Sequence, residues 1–249
     1  MTGHPIKLEV CVDNTHGLAA AIAGGADRIE LCAALETGGL TPSAGLLRLA
    51  SASPIPVVAM IRPRGGAFCY DGIEIDQMLG EIDAVAAVGL QGVVLGASLA
   101  SGDLDLQTLE RLLRHARDQG LPATLHRAID LCPDIALATR HAVDLGFERI
   151  LTSGGALAAT QGMDGLQRCF DAAAGRITIM PGAGIGPDNV GQLMERFPLR
   201  EVHASCSVAA PPGSPQELAF GFDTAGRRQT SGARVAALKA ALARASGGS

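Results

Sequence analysis

Eight short apolar runs alternate with eight helix-patterned stretches at a spacing of about 25 to 30 residues, and this rhythm constrains the chain more than any single motif. The runs fall at 7–13, 28–32, 56–61, 92–96, 122–126, 149–152, 176–180 and 201–204. The stretches between them have apolar spacings of three and four or begin with capping residues, as at 15–23, 43–51, 74–88, 104–119, 133–145 and 164–173, with a further helix expected from Pro187 and a closing Ala-rich one over 232–245. A strand that must cross a helix before the next strand pairs in parallel. Eight such units predict one closed (β/α)8 TIM-type barrel spanning residues 1–249, with 206–249 as closing loop and helix. An open doubly wound sheet is the alternative. The glycines at 182, 184 and 186 do not make a dinucleotide fingerprint, because Pro187 stands where its last glycine belongs, so no nucleotide cofactor is expected.

The core must be aliphatic, since aromatics are only 3% of the chain and Trp is absent. A net charge of −5 gives no general attraction to nucleic acid or anionic membrane, and Arg227, Arg228 and Arg234 read as a solvated loop. The start Met-Thr-Gly-His-Pro lacks a signal-peptide pattern, and no apolar run is long enough for a membrane helix. A cytoplasmic protein with reduced thiols at all six cysteines is expected, and no C-x-x-C pair suggests a zinc knuckle.

Polar residues break the pattern at the strand ends. In the first run Leu8, Val10 and Val12 share one face, while Glu9, Cys11 and Asp13 share the other. The second run repeats the device with Glu30 and Cys32. Arg62 and Arg64 follow the third strand, His126, Arg127 and Asp130 the fifth, Thr152 and Ser153 the sixth, and His203 and Ser205 the eighth. In such barrels the C-terminal strand ends carry the chemistry, and the opposite loops read as stripped of polar groups. Buried carboxylates need partners, which Glu9 and Glu30 are expected to find in Arg62 or His126.

Two chemistries fit this face. Soft thiols at Cys11 and Cys32 on neighbouring strands suit Cu(I), with His or Met as a third ligand, and Cys69, Cys132 and Cys206 lie in loops on the same side. Cys169 falls within a helix, where it packs. Alternatively, Glu9, Glu30 or His126 serves as acid or base on a small anionic or sugar-like substrate in a hydrolase, isomerase or lyase. Arg62, Arg64, His203 and the loops containing Ser153, Gly154, Gly155, Gly182 and Gly184 would then bind the anion. Schiff-base chemistry is disfavoured, because the only lysines are Lys7 and Lys239, neither at a strand's C-terminal end.

The strings Leu-Glu-Val-Cys-Val-Asp, Gly-Gly-Ala-Asp-Arg-Ile-Glu-Leu-Cys, Gly-Gly-Leu-Thr-Pro-Ser, Met-Ile-Arg-Pro-Arg-Gly-Gly, His-Arg-Ala, Leu-Thr-Ser-Gly-Gly and Glu-Val-His-Ala-Ser together resemble the CutC family over about residues 8–205. The resemblance implies a TIM-type barrel, a cytoplasmic copper homeostasis protein, self-association into a homo-oligomer, and copper held by cysteines near the barrel mouth. Cys11 and Cys32 match the family's strand-end motifs. Cys69 and Cys206 lie in less typical segments and are not carried over as ligands.

Overall fold

The two-faced reading of the first strand is realised in the computed structural model, which describes residues 5–246. In β1 (Lys7–Val12), Leu8, Val10 and Val12 pack into the main core, while Glu9 and Cys11 point the other way and are still buried. There follow β2 (Arg28–Leu31), β3 (Val57–Met60), β4 (Val93–Leu95), β5 (Ala123–Leu125), β6 (Arg149–Thr152), β7 (Thr178–Pro181) and β8 (Glu201–Ala204). Each pairs in parallel with its predecessor as far as β7, and β8 returns to pair with β1. β7 lies alongside β8, which completes a (β/α)8 barrel.

Between successive strands run α1 (Thr15–Ala23), α2 (Ala44–Ala50), α3 (Gly72–Ala87), α4 (Leu106–Asp118), α5 (Ile135–Leu145), α6 (Met163–Ala173) and α7 (Val190–Arg196). Side chains set the helix starts: Asn14, Ser43, Asp71, Asp105 and Asp134 each accept a hydrogen bond from a first-turn backbone N–H. The helix expected from Pro187 starts only at Val190. Asn189 accepts from the Gly186 N–H and donates to the Gly184 carbonyl, so its side chain holds the preceding residues in a turn. Beyond the barrel strands, the segment read as plain loop contains an antiparallel pair, β9 (Ser207–Ala209) with β10 (Arg228–Thr230), and the short α8 (Pro215–Ala219). The closing helix is present as α9 (Gly232–Ser246), packed against α1 and α7. Among the described residues no helix is long and apolar enough to cross a membrane.

The hydrophobic residues divide into two clusters. A large one lies between strands and helices, and a small one of Cys32, Val58, Met60 and Val94, with Leu35 against it, fills part of the barrel's inside. The rest of the inside is charged. Arg28 pairs with Glu9 and Glu201, and Arg149 lies 3.3 Å from Glu201 and bonds Thr124 Oγ1 at 3.2 Å. Arg28, Arg149 and Glu201 sit at the N-terminal ends of their strands. The expectation that polar groups are confined to the opposite end is therefore corrected: an ionic layer floors the barrel, and its charges offset one another in burial. A cavity of about 500 Å³ opens outside this floor, lined by Lys7, Asp27, Arg28, Glu148 and Arg149 among others.

Candidate metal and ligand site at the barrel mouth

Strand register assembles the centre of the site. Glu9 stands level with Arg28 of β2 on one side and His203 of β8 on the other, and one pleat higher Cys11 stands level with Glu30. Inward alternation then brings the side chains together. His203 Nδ1 lies 2.8 Å from Glu9 Oε1, and its Nε2 lies 3.7 Å from Glu30 Oε2. The Cys11 sulfur, a Glu30 oxygen and a His203 ring nitrogen all fall within 4.8 Å of one another, with all three residues buried.

The ionic floor orders these groups. Burial alone would raise the Glu9 pKa, but the hydrogen bond from His203 and the Arg28 and His203 charges outweigh it and hold the carboxyl down to about 2. Glu9 is thus a carboxylate that accepts the Nδ1–H of His203, leaving Nε2 to face Glu30 and Cys11. Burial opposes charge on His203, yet the neighbouring Glu30 and Cys11, with hydrogen bonds to Cys11 and Glu9, push its pKa well up. Glu30 is raised, first by burial and also by the Glu9 charge, although His203 pulls in the other direction. Its Oε1 is buried without a hydrogen-bond partner.

Cys32 does not share the three-residue cluster. Its sulfur is 3.6 Å from Glu30 Oε2, among the apolar side chains inside the barrel, and burial followed by the Glu30 charge pushes its thiol pKa well up. The partners expected for Glu9 and Glu30 are also different: Arg28 and His203 take the place assigned to Arg62 and His126. Arg62 instead donates to the backbone carbonyls of Thr37, Gly39 and Gly66. Arg64 is engaged by Glu74 and by the carbonyls of Gly65, Ala67 and Cys69, so it anchors the loop over the mouth. His126 is buried at the end of β5, where its Nδ1 accepts the Ala128 N–H at 3.2 Å. Cys69 and Cys132 are half-buried and Cys206 is buried; all six cysteines are free thiols.

The glycine loops are cradles, but one holds an anion of the chain's own. The N–H groups of Ser153 and Gly155 both donate to the Asp130 carboxylate, joined by the Thr152 hydroxyl and Arg127 Nε. The Gly154 N–H donates to Thr152 Oγ1. In the next loop the Gly182 N–H bonds the Thr152 carbonyl, and the Gly184 carbonyl accepts from Asn189. Gly182 has no room for a side chain, because a Cβ there would lie 2.4 Å from Leu151 Cδ1 and 3.3 Å from His203 Cβ.

Residues 6–208 match the model of the CutC family. The chain belongs to the CutC family. It is 54% identical over 237 residues to a CutC family protein of Rhizobium meliloti strain 1021, covering 95% of this chain and 96% of that one. A CutC family protein of Caulobacter vibrioides strain NA1000 is 51% identical over 244 residues, covering 97% and 99%. The crystal structure of a Streptococcus agalactiae CutC, provisionally described as a copper homeostasis protein, superposes with a TM-score of 0.75 at 31% identity, over 80% of this chain and 98% of its own.

The CutC match ends within β9, so the rest of the hairpin, α8 and α9 lie beyond it. The mouth of this CutC-family barrel offers one sulfur, one imidazole nitrogen and one carboxylate oxygen to a common point, or an acid–base pair of Glu30 and His203. Sequence reading missed Arg28 and Glu201. Their signal was present: a charged residue at an inward position of a strand buried on both faces requires an opposite charge at the same level on a neighbouring strand.

Proposed function

We propose that this CutC-family chain binds a single copper ion at the barrel mouth through Cys11, His203 and Glu30, with the Cys32 thiol adjoining, and serves in copper homeostasis. The observation that carries the reading is the mutual approach of the three donor atoms within 4.8 Å. The donor chemistry fits. Cys11 supplies the soft sulfur that Cu(I) favours, and His203 presents Nε2 while its Nδ1–H is fixed by a carboxylate, the usual support for a metal-ligating histidine. The unpartnered Glu30 Oε1 is a further acceptor in the same space. Copper is the cargo here, and binding it displaces the protons of the Cys11 thiol and of His203 Nε2. A cytoplasmic setting and self-association follow from the family resemblance as parts of this reading.

The test is an anaerobic Cu(I) titration against a competing chelator. One equivalent bound by the wild type, lost in Cys11→Ser and His203→Asn and weakened less in Cys32→Ser, supports the reading. Binding indifferent to Cys11→Ser overturns it.

A further inference from the structure

Beside the sulfur-bearing cluster lies a second set of buried groups that the copper reading leaves without a role. Arg62, His126 and Ser98 are only 5%, 3% and 6% exposed, and Arg62 Nε, His126 Nε2 and Ser98 Oγ are each buried without a hydrogen-bond partner. Isolated orphans of this kind are rare in native structures, because each forfeits its hydration with no return. Here three of them come from the ends of β3, β4 and β5, which are consecutive neighbours in the barrel.

One side chain roofs them. The Arg62 guanidinium carbon lies 4.8 Å from the centre of the Phe68 ring, and the His126 ring centre lies 4.6 Å from it. The Ser98 N–H bonds the Phe68 carbonyl at 2.9 Å. Phe68 is itself only half-buried, so the roof is thin. A glycine fixes where the imidazole lies: a Cβ on Gly96 would stand 2.4 Å from His126 Cε1, so the ring packs directly on the Gly96 backbone.

All three orphans can donate a hydrogen bond. Arg62 is a cation whose terminal nitrogens are spent on backbone carbonyls, and among the described residues no carboxylate forms an ion pair with it. His126 accepts the Ala128 N–H on Nδ1, so the ring proton sits on Nε2 and that atom is a donor. Burial, with the Arg62 charge adding to it, lowers the imidazole pKa to about 3, which keeps that donor neutral at physiological pH. The Ser98 hydroxyl is a donor or acceptor as needed. Two fixed N–H donors, an adjustable hydroxyl and one uncompensated buried positive charge match a planar oxyanion.

We propose that Arg62, His126 and Ser98 form a carboxylate-binding subsite, closed by Phe68, that takes the acid group of a small organic acid at the barrel mouth. The subsite is built from residues separate from Cys11, Glu30 and His203, and so stands or falls independently of copper. It gives this barrel a small-molecule ligand of a definite class.

The full-length protein is titrated with acetate, oxalate and inorganic phosphate, read by calorimetry, thermal unfolding and the ring ¹⁵N resonances of labelled histidine. Acetate and oxalate are expected to raise Tm and to move the His126 Nε2–H signal, with phosphate doing neither. Ser98→Ala is the decisive variant, because Ser98 Oγ has no partner to lose and the fold is left intact. It should weaken carboxylate binding about tenfold or more, the effect of losing one hydrogen bond to a charged group. Cys11→Ser should leave the carboxylate response unchanged, which separates this result from that of the copper titration. The proposal is overturned if neither carboxylate produces a response, if phosphate binds and carboxylates do not, or if binding leaves the His126 signal unmoved or survives Ser98→Ala at full strength.

Discussion

Replacing Asp130 by Ala should destabilise the protein by about 4 kcal/mol, because one carboxylate holds the β6 loop together. Its side chain is 6% exposed and receives the N–H groups of Ser153 at 3.0 Å and Gly155 at 3.0 Å, Arg127 Nε at 2.8 Å, and the Thr152 hydroxyl. A hydrogen bond to a charged group contributes about 1.5–3 kcal/mol, so adding four would give about 6–12 kcal/mol. That sum is too large. Arg127 is 41% exposed and Gly155 reaches water, so both recover hydration once the carboxylate is gone, and only the Ser153 and Thr152 donors remain stranded. A loss of about 4 kcal/mol corresponds to a fall in Tm of about 8–16 °C for a domain of this size. Urea unfolding of wild type, Asp130→Ala and Asp130→Asn measures it, and Asn should rescue only in part because its NH2 faces donors. Acetate should then restore Asp130→Ala, by about 2.7 kcal/mol at a hundred times its Kd for the emptied nest, over and above the response the wild type shows through Arg62, His126 and Ser98. A loss below about 1 kcal/mol would refute the reasoning, since the loop would then be held by its glycines and not by the carboxylate.

Gly96→Ala should cost about 1–3 kcal/mol and displace the His126 ring, seen as a shifted histidine ¹⁵N signal in the absence of any ligand. Glu9→Gln should destabilise by about 3–5 kcal/mol at neutral pH, because Arg28 and His203 lose a shared buried partner. Acid unfolding checks the sign of that pairing. The folded Glu9 pKa of about 2 lies below the ordinary 4.5, so its contribution is complete above pH 4.5 and disappears as pH falls toward 2. The gap between wild type and Glu9→Gln should narrow over that interval, and a gap that stays constant would contradict the assignment. Phe222→Ser should change stability by less than about 0.5 kcal/mol in the same assay, because the ring is 82% exposed despite stacking on Phe220.

The barrel was legible because each strand carries its outer face in aliphatic residues and each helix follows at a regular interval. The inner polar face of β1 and β2 was equally plain, and Glu9, Cys11 and Glu30 stand in the site as their alternation requires. Their partners were not legible. Pairing Glu9 with Arg28 and His203 depends on the stagger between β8, β1 and β2, and alternation within one strand fixes which face a residue occupies but not its level. Arg28 was passed over as the flank of an apolar run. Asp130 was visible as a strand-end acid, but its occupation of the Ser153–Gly155 cradle depends on how the 3-10 turn at Arg127–Leu131 aims it across to the next loop. The β9–β10 pair escaped notice because its strands are three residues each, mostly polar and partly exposed, so no alternation marks them.

The ionic floor bears on the order in which the chain comes together. Arg28 and Arg149 belong to strands made early and midway, but the Glu201 carboxylate that joins them arrives 173 residues after Arg28, and His203 meets Glu9 across 194. A sheet that lacks β8 leaves Arg28 with Glu9 alone and Arg149 without Glu201, so part of their charge must stay hydrated until that strand docks. Docking of the last strand supplies both missing partners in one step. The charges therefore act as a latch on closure, penalising the nearly finished barrel and concentrating the folding transition on its most distant contacts.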